Sequence, residues 1–225
     1  MFVLTSVSRV YGAGAQQSLA LDDVSLRVDR GEFVAIAGPS GSGKTTLLNL
    51  VGGIDTPTSG RIEIDGRDLN GLAPRDLADF RLTKIGFVFQ QFSLVPVLTA
   101  MENVELPLLF RKSLAAGERK RSVEAALARV GLSGKANRRP AELSGGEQQR
   151  VAVARAVAGS PEIVLADEPT ANLDRASGAS VVELLHELNR ERGTTFLYAT
   201  HDPELVRLAG RVITLRDGRL EGGLA

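Results

Sequence analysis

Residues Gly38 to Thr46 read GPSGSGKTT, a glycine-rich run closed by a lysine and two threonines. Gly38, Gly43, Lys44 and Thr45 satisfy the spacing G-x-x-x-x-G-K-[ST], a pattern that needs an apolar strand before it and a helix after it. Both neighbours fit, with FVAIA on one side and LLNLV on the other. Such a run closes its backbone amides around phosphate oxygens, so Gly38, Pro39, Ser40, Gly41, Ser42, Gly43 and Thr46 join Lys44 and Thr45 as nucleotide-binding residues. The lysine ammonium neutralises the outer phosphates and the Thr45 hydroxyl can ligate magnesium. A nucleoside triphosphate with Mg2+ is the implied ligand.

A second stretch, LSGGEQQR from Leu143 to Arg150, also suits an anion. Ser144 and Glu147 fit a capping box that starts a helix, and Val151, Val153, Ala154 and Val157 continue it as an apolar face. The box leaves Gly145 and Gly146 unexplained, because glycine in a helix costs up to about 1 kcal/mol against alanine. A helix start without side chains exposes free N–H groups and the positive end of the helix dipole.

IVLADE, Ile163 to Glu168, is an apolar run ending in two carboxylates. Alternation along a strand would send them to opposite faces and separate their tasks. Asp167 is expected to hold magnesium and Glu168 to orient or deprotonate an attacking water. His201 follows TTFLYAT at the kind of strand end where doubly wound sheets place ligand groups, and Gln90 ends IGFVFQ in a similar way. His186, inside VVELLHELNRE, reads as structural or surface.

These residues need elements to position them. FVLTSVSRV, LALDDVSLRV, FVAIAG and RIEIDG read as strands, KTTLLNLVGG and APRDLADFRL as helices, and IGFVFQ as a short strand. Residues 91–143 change character and read as a helical insert whose clearest amphipathic helix is GERKRSVEAALARVGL. Its basic run at 118–121 reads as a solvated helix face. Beyond the insert come the helix from Ser144, strand EIVLAD, helix SGASVVELLHELNRERG, strand TTFLYAT, short helix PELVRLA and the hairpin RVITLRDGRLE. Short apolar strands alternating with helices predict an α/β fold with a mainly parallel sheet covered on both faces.

The composition narrows the function classes. At 225 residues, one domain or one with a subdomain is expected. Lys and Arg total 27 against 27 Asp and Glu, which argues against a nucleic-acid partner. The absence of cysteine excludes disulfides and thiolate chemistry. No apolar run approaches the about 20 residues that span a bilayer, so the chain is expected to be cytoplasmic.

In this order the motifs resemble those of the ATPase subunits of ATP-binding cassette (ABC) transporters, from near the first strand to the closing hairpin. The resemblance joins the phosphate loop, Gln90, LSGGEQQR, Asp167 with Glu168, the NLD ending at Asp174, and His201. It implies a P-loop NTPase core with an antiparallel β subdomain, one cassette over 1–225 and a helical subdomain over 91–143. It implies that Tyr11 stacks on adenine, that Gln90 also contacts the metal, and that Asp174 contributes to the nucleotide site. It further implies that Ser144, Gly145 and Gly146 bind the γ-phosphate of an ATP held by a second copy, in a head-to-tail dimer. The partner it implies is a transmembrane permease, with the chain peripheral on the inner face of the membrane.

IGFVFQQFSLVPVLTAMENVELPL and ADEPTANLD look most like the branch serving lipoprotein release and macrolide export, although Ala171 stands where that branch more often has glycine. A cassette acting in DNA maintenance would carry long coiled coils, for which 91–143 is too short. A ribosome-acting one normally has two cassettes in one chain.

Overall fold

A computed structural model of the chain describes residues 1–221. Strands β1 (Phe2–Tyr11), β2 (Ser18–Val28), β4 (Ser59–Ile64) and β5 (Arg67–Asp68) form an antiparallel sheet in the order β2-β1-β4-β5. The second sheet holds β3 (Phe33–Ala37), β6 (Ile85–Val88), β7 (Ile163–Asp167), β8 (Thr195–Thr200), β9 (Arg211–Arg216) and β10 (Arg219–Glu221). Its order is β10-β9-β3-β8-β7-β6, parallel except where β10 turns back on β9. Asp217 (φ 48°) and Gly218 (φ 78°) make that turn, the two left-handed residues a tight hairpin needs.

Alternation sorts the side chains of the parallel sheet into two cores. Val34 and Ile36 of β3, Leu165 of β7 and Leu197 of β8 pack with β1, β2, β4 and helix α1 (Lys44–Val51). Their neighbours Ala35, Ala166 and Tyr198 face the other way, against α5 (Gly145–Val157) and α6 (Arg175–Arg192). A strand with both faces buried is apolar throughout, which is why these segments read as continuous hydrophobic runs.

Between residues 91 and 143 the chain forms α3 (Ala100–Glu105) and α4 (Ala116–Arg129), with one 3-10 turn between them and two after α4. Val104, Leu108, Val123 and Leu127 belong to the same apolar cluster as Val151 and Val153 of α5, so the core runs from insert to sheet without a break. Two arginines fasten the connections. Arg111 donates to Leu82 O (2.9 and 3.0 Å) and Thr83 O (2.8 Å) at the end of α2 (Pro74–Lys84), and to Gly159 O (2.7 Å) beyond α5. Arg155 of α5 donates to Ser93 O (2.6 Å) and Phe92 O (3.0 Å). Burial lowers the pKa of both guanidinium groups, and the carbonyls they bind replace lost water.

The basic run is largely solvated, with Lys120 and Arg121 exposed and Arg119 paired with Glu105 at 2.7 Å. His186 packs on Phe33 with ring centroids 5.0 Å apart, the structural role expected of it. The short α7 (Pro203–Val206) supports β8, since the Tyr198 hydroxyl donates to Leu205 O at 2.8 Å.

Candidate functional site

The phosphate loop leaves β3 and enters α1 without room for side chains. A Cβ on Gly38 would lie 2.1 Å from Leu215 O, and one on Gly43 (φ 105°) would lie 2.5 Å from Ala20 O. A Cβ on Gly41 would meet nothing within 4 Å, which leaves the crown of the loop open. Lys44 opens α1, is almost wholly buried, and curls back so that Nζ donates to Gly38 O (2.8 Å) and Pro39 O (3.0 Å).

Two buried polar atoms in this region have no hydrogen-bond partner: Ser42 Oγ and Asp167 Oδ1. Unsatisfied buried groups are uncommon in folded proteins, and at the mouth of a phosphate loop they fit a missing anion and its cation. The Asp167 pKa is raised, chiefly by burial and further by the neighbouring Glu168 charge, while Thr45 and Lys44 pull it down. A divalent cation against Asp167 and Thr45 would reverse that balance. Among the described residues no three acidic or histidine side chains gather into a metal cage, so magnesium there would complete its shell with phosphate oxygens and water.

The separation of Asp167 from Glu168 arises differently from the alternation expected of a strand. β7 ends at Asp167, and Glu168 turns out of it in the left-handed region (φ 44°), held by a hydrogen bond from its N to Ala199 O of β8 (3.0 Å). Such backbone strain persists only where the surroundings fix it. The turn aims the Glu168 carboxylate at His201, with Oε1 2.9 Å from Nδ1, and leaves it 3.9 Å from Lys44 Nζ. His201 is 61% exposed and Glu168 13%, so the histidine stands between solvent and the sheltered carboxylate.

Gln90 lies two residues beyond the end of β6 rather than inside the strand, and it is exposed. Its carbonyl accepts from Asn172 Nδ2 at 2.8 Å. Asn172 opens the NLD that the sequence showed, but its contact with Gln90 was not expected from the sequence. Gln149 was also missed: wholly buried on α5, it donates to Pro169 O at 2.6 Å. A polar side chain on the apolar face of a helix was its signal.

The capping box at the start of α5 is formed, with Ser144 Oγ accepting from Glu147 N (3.3 Å) and Glu147 Oε2 accepting from Ser144 N (3.1 Å). Lys135 pairs with Glu147 and holds its carboxyl below the usual range. The two glycines differ. A Cβ on Gly146 would press on Ser177 at 3.2 Å, whereas one on Gly145 would meet nothing closer than Leu173 at 3.7 Å, an ordinary contact. Internal packing therefore accounts for part of Gly146 and none of Gly145. Asp174 caps α6, its Oδ1 accepting from Ala176 N and Ser177 N, both at 3.1 Å, and those contacts with Ser177 lower its pKa. Tyr11 ends β1 and is 38% exposed.

The structure thus gathers Gly38 to Thr45, Asp167, Glu168 and His201 at one end of the parallel sheet. At the start of α5, Phe92, Asn172, Leu173 and Ser177 supply the atoms nearest Gly145 and Gly146.

Comparison with known proteins agrees with this arrangement. The sequence model of a family described as ABC transporter matches residues 21–171. The uncharacterized ABC transporter ATP-binding protein MJ0796 of Methanocaldococcus jannaschii is 47% identical over 98% of this chain and 95% of its own. A dimeric structure of that cassette, in a post-hydrolysis state bound to ADP and Pi, superposes with a TM-score of 0.90, covering 98% of this chain and 97% of the other. The macrolide export ATP-binding/permease protein MacB of Burkholderia pseudomallei is 48% identical over 97% of this chain, which spans 33% of MacB. A phosphate loop with its lysine folded inward, a strained carboxylate beside a histidine, and relatives matched along their whole cassette lead to one conclusion: the chain belongs to the ABC transporter family, as an ATP-binding cassette that hydrolyses ATP.

Proposed function

We propose that two copies of this chain close head to tail around two Mg-ATP molecules and that the pair drives a separate transmembrane permease, in export or in release of lipoproteins from a membrane. The observation that carries this reading is Gly145. It stands at the start of a capped helix, and none of the described residues lies close enough to require a glycine there. An anion approaching from outside is what such a position suits, and the outer phosphate of an ATP on another copy supplies one.

Within each copy, the amides of Gly38 to Gly43 cradle the phosphates and Lys44 exchanges its two loop carbonyls for phosphate oxygens. Thr45, Asp167 and Gln90 would hold magnesium, and when bound it would supply positive charge against the terminal phosphate. Glu168, kept in place by His201, takes the proton of the attacking water. His201 also faces the terminal phosphate, Tyr11 stacks on the adenine, and Asp174 adds to the closed site from its place as the α6 cap. Residues 91–143 act as a helical subdomain that, with Gln90, receives the permease.

Support for a permease partner comes from two sides. Among the described residues no helix is long and apolar enough to cross a membrane. MacB, which this chain matches over 33% of MacB's length, carries a name that joins ATP-binding and permease functions. The chain then works in the cytoplasm, docked on the inner face of the membrane. Affinity purification from detergent-solubilised membranes tests this: one membrane protein should co-purify and change the rate of ATP hydrolysis. Recovery of nucleic acid or ribosomes in its place would refute it.

A further inference from the structure

Three side chains at the end of β1 form a closed arrangement that the hydrolytic residues do not use. The guanidinium of Arg9 lies over the Tyr11 ring, 4.6 Å from its centroid. Arg9 also pairs with Asp55 at 2.8 Å, and the Tyr11 hydroxyl donates to the other oxygen of the same carboxylate at 2.8 Å. The side chains of Arg9 and Asp55 are only 22% and 21% exposed, and Arg9 Nε is buried without a partner. Asp55 is anchored in turn, its N donating to Asn49 O of α1 at 3.2 Å. Nearby, Thr58 N donates to Ser8 O (2.8 Å) and Val10 N to Thr58 Oγ1 (3.0 Å), so β1 is stitched to the segment that follows the phosphate-loop helix.

We infer that Arg9 and Asp55 are positioning residues that hold the Tyr11 ring as a preorganised platform for the nucleobase, with Arg9 filling one face so that the base takes the other. The inference rests on the proposed stacking of ATP on Tyr11. A tyrosine at a strand end otherwise keeps its side-chain rotamer freedom, which binding must remove. Here the hydroxyl fixes the ring at its tip and the guanidinium fixes it across its face, so that freedom is already gone. The carboxylate between them balances the Arg9 charge, so the platform gains rigidity without adding a cation beside the base. The link through Asn49 also ties the platform to α1, which begins at Lys44, so base and phosphates are received by one connected unit.

Calorimetry on the full chain with magnesium separates base from phosphate, using ATP and inorganic tripolyphosphate as ligands. Tyr11→Ala should weaken ATP about tenfold, within the range of one base–aromatic stack. Arg9→Ala, Asp55→Ala and Tyr11→Phe should each weaken it about threefold, and none should change the affinity for tripolyphosphate. In the double variant Arg9→Ala/Tyr11→Ala, loss of Arg9 should add nothing to loss of Tyr11, because a platform without its ring has nothing left to position. Tyr11→Phe removes a single hydroxyl and keeps the test available if the other variants fold poorly. If only Tyr11→Ala weakens ATP, stacking stands and the positioning role of Arg9 and Asp55 is overturned. If Tyr11→Ala binds ATP like the parent chain, the stacking itself fails and the inference goes with it. Equal losses for tripolyphosphate and ATP would place the effect in the phosphate loop and overturn it as well.

Discussion

Asp167 carries a carboxylate that the protein alone leaves half satisfied, with one buried oxygen unpaired and a pKa raised mainly by burial. Its charge therefore weighs against folding until a cation arrives. Asp167→Asn should raise the melting temperature of the nucleotide-free chain by about 2–4 °C, the shift of roughly 1 kcal/mol in a protein of this size. The variant should also lose most of the further rise that the parent chain gains from Mg-ATP. The pH dependence follows from the direction of the shift: a carboxylate with a raised folded pKa penalises folding fully above that pKa. The penalty fades as pH falls toward the ordinary carboxylate range. The gap in melting temperature between the variant and the parent should thus narrow on acidification, and a gap that stays constant as pH falls into the ordinary carboxylate range would count against the burial argument. Lys44→Ala should remove tight ATP binding, read by calorimetry, because Lys44 is the one cation of the loop and lies folded over it. Residues of this kind were legible in the sequence because phosphate chemistry fixes both their types and their spacing. The left-handed turn at Glu168 was not legible, since nothing in ADEP distinguishes a strand that ends at Asp167 from one that runs a residue further. Nor was Arg9, whose value depends on a ring and a carboxylate brought to it by the fold.

At the scale of the element, α5 divides into two parts. Its interior carries apolar packing, and its half-buried first turn makes only ordinary contacts with Phe92 and Leu173. Gly145→Ala separates the two. No atom comes within 3.7 Å of the added methyl, and alanine is the better helix former, so the isolated chain should gain from a few tenths to about 1 kcal/mol of stability. Hydrolysis should fall severalfold or more, because the methyl stands where the partner's phosphate is proposed to approach. A denaturation curve shifted to higher denaturant together with a lower ATPase rate would distinguish a functional glycine from a structural one. Lower stability with unchanged rate would show that packing, and not a ligand, selects glycine there. Most elements were readable because strands buried on both faces are apolar throughout and helices carry a stripe. Their ends were less so. The α6 helix begins at Arg175, two residues before the Ser177 start expected from its pattern, because Asp174 caps it and the cap lies outside the apolar period. Gln90 was placed on a strand that stops at Val88, since side-chain alternation does not report where ladder hydrogen bonds end.

For the whole molecule, the proposed dimer draws on two parts of each copy: the phosphate loop, and the start of α5 whose neighbours are Asn172, Leu173 and Ser177. The sequence showed both parts but not the strand order β10-β9-β3-β8-β7-β6 or the packing of the insert on α5. A balanced charge of 27 basic and 27 acidic residues sets no net repulsion against self-association, so under the proposed function the oligomeric state turns on whether ATP bridges the two parts. Glu168→Gln keeps the side-chain shape and removes its basicity, so hydrolysis should slow by a hundredfold or more, within the range of general base catalysis. Asp167, Lys44 and Thr45 remain to hold Mg-ATP. Unspent ATP should then accumulate between two copies, and the variant should elute from a sizing column as a dimer with ATP and as a monomer without it. Adding Ser144→Arg places a long side chain over the start of α5 and leaves the phosphate loop untouched. The double variant should bind ATP with the affinity of the single one and elute as a monomer in its presence. If it still elutes as an ATP-dependent dimer, the α5 start takes no part in the bridge, and the two glycines that follow Ser144 have only their own helix to explain them.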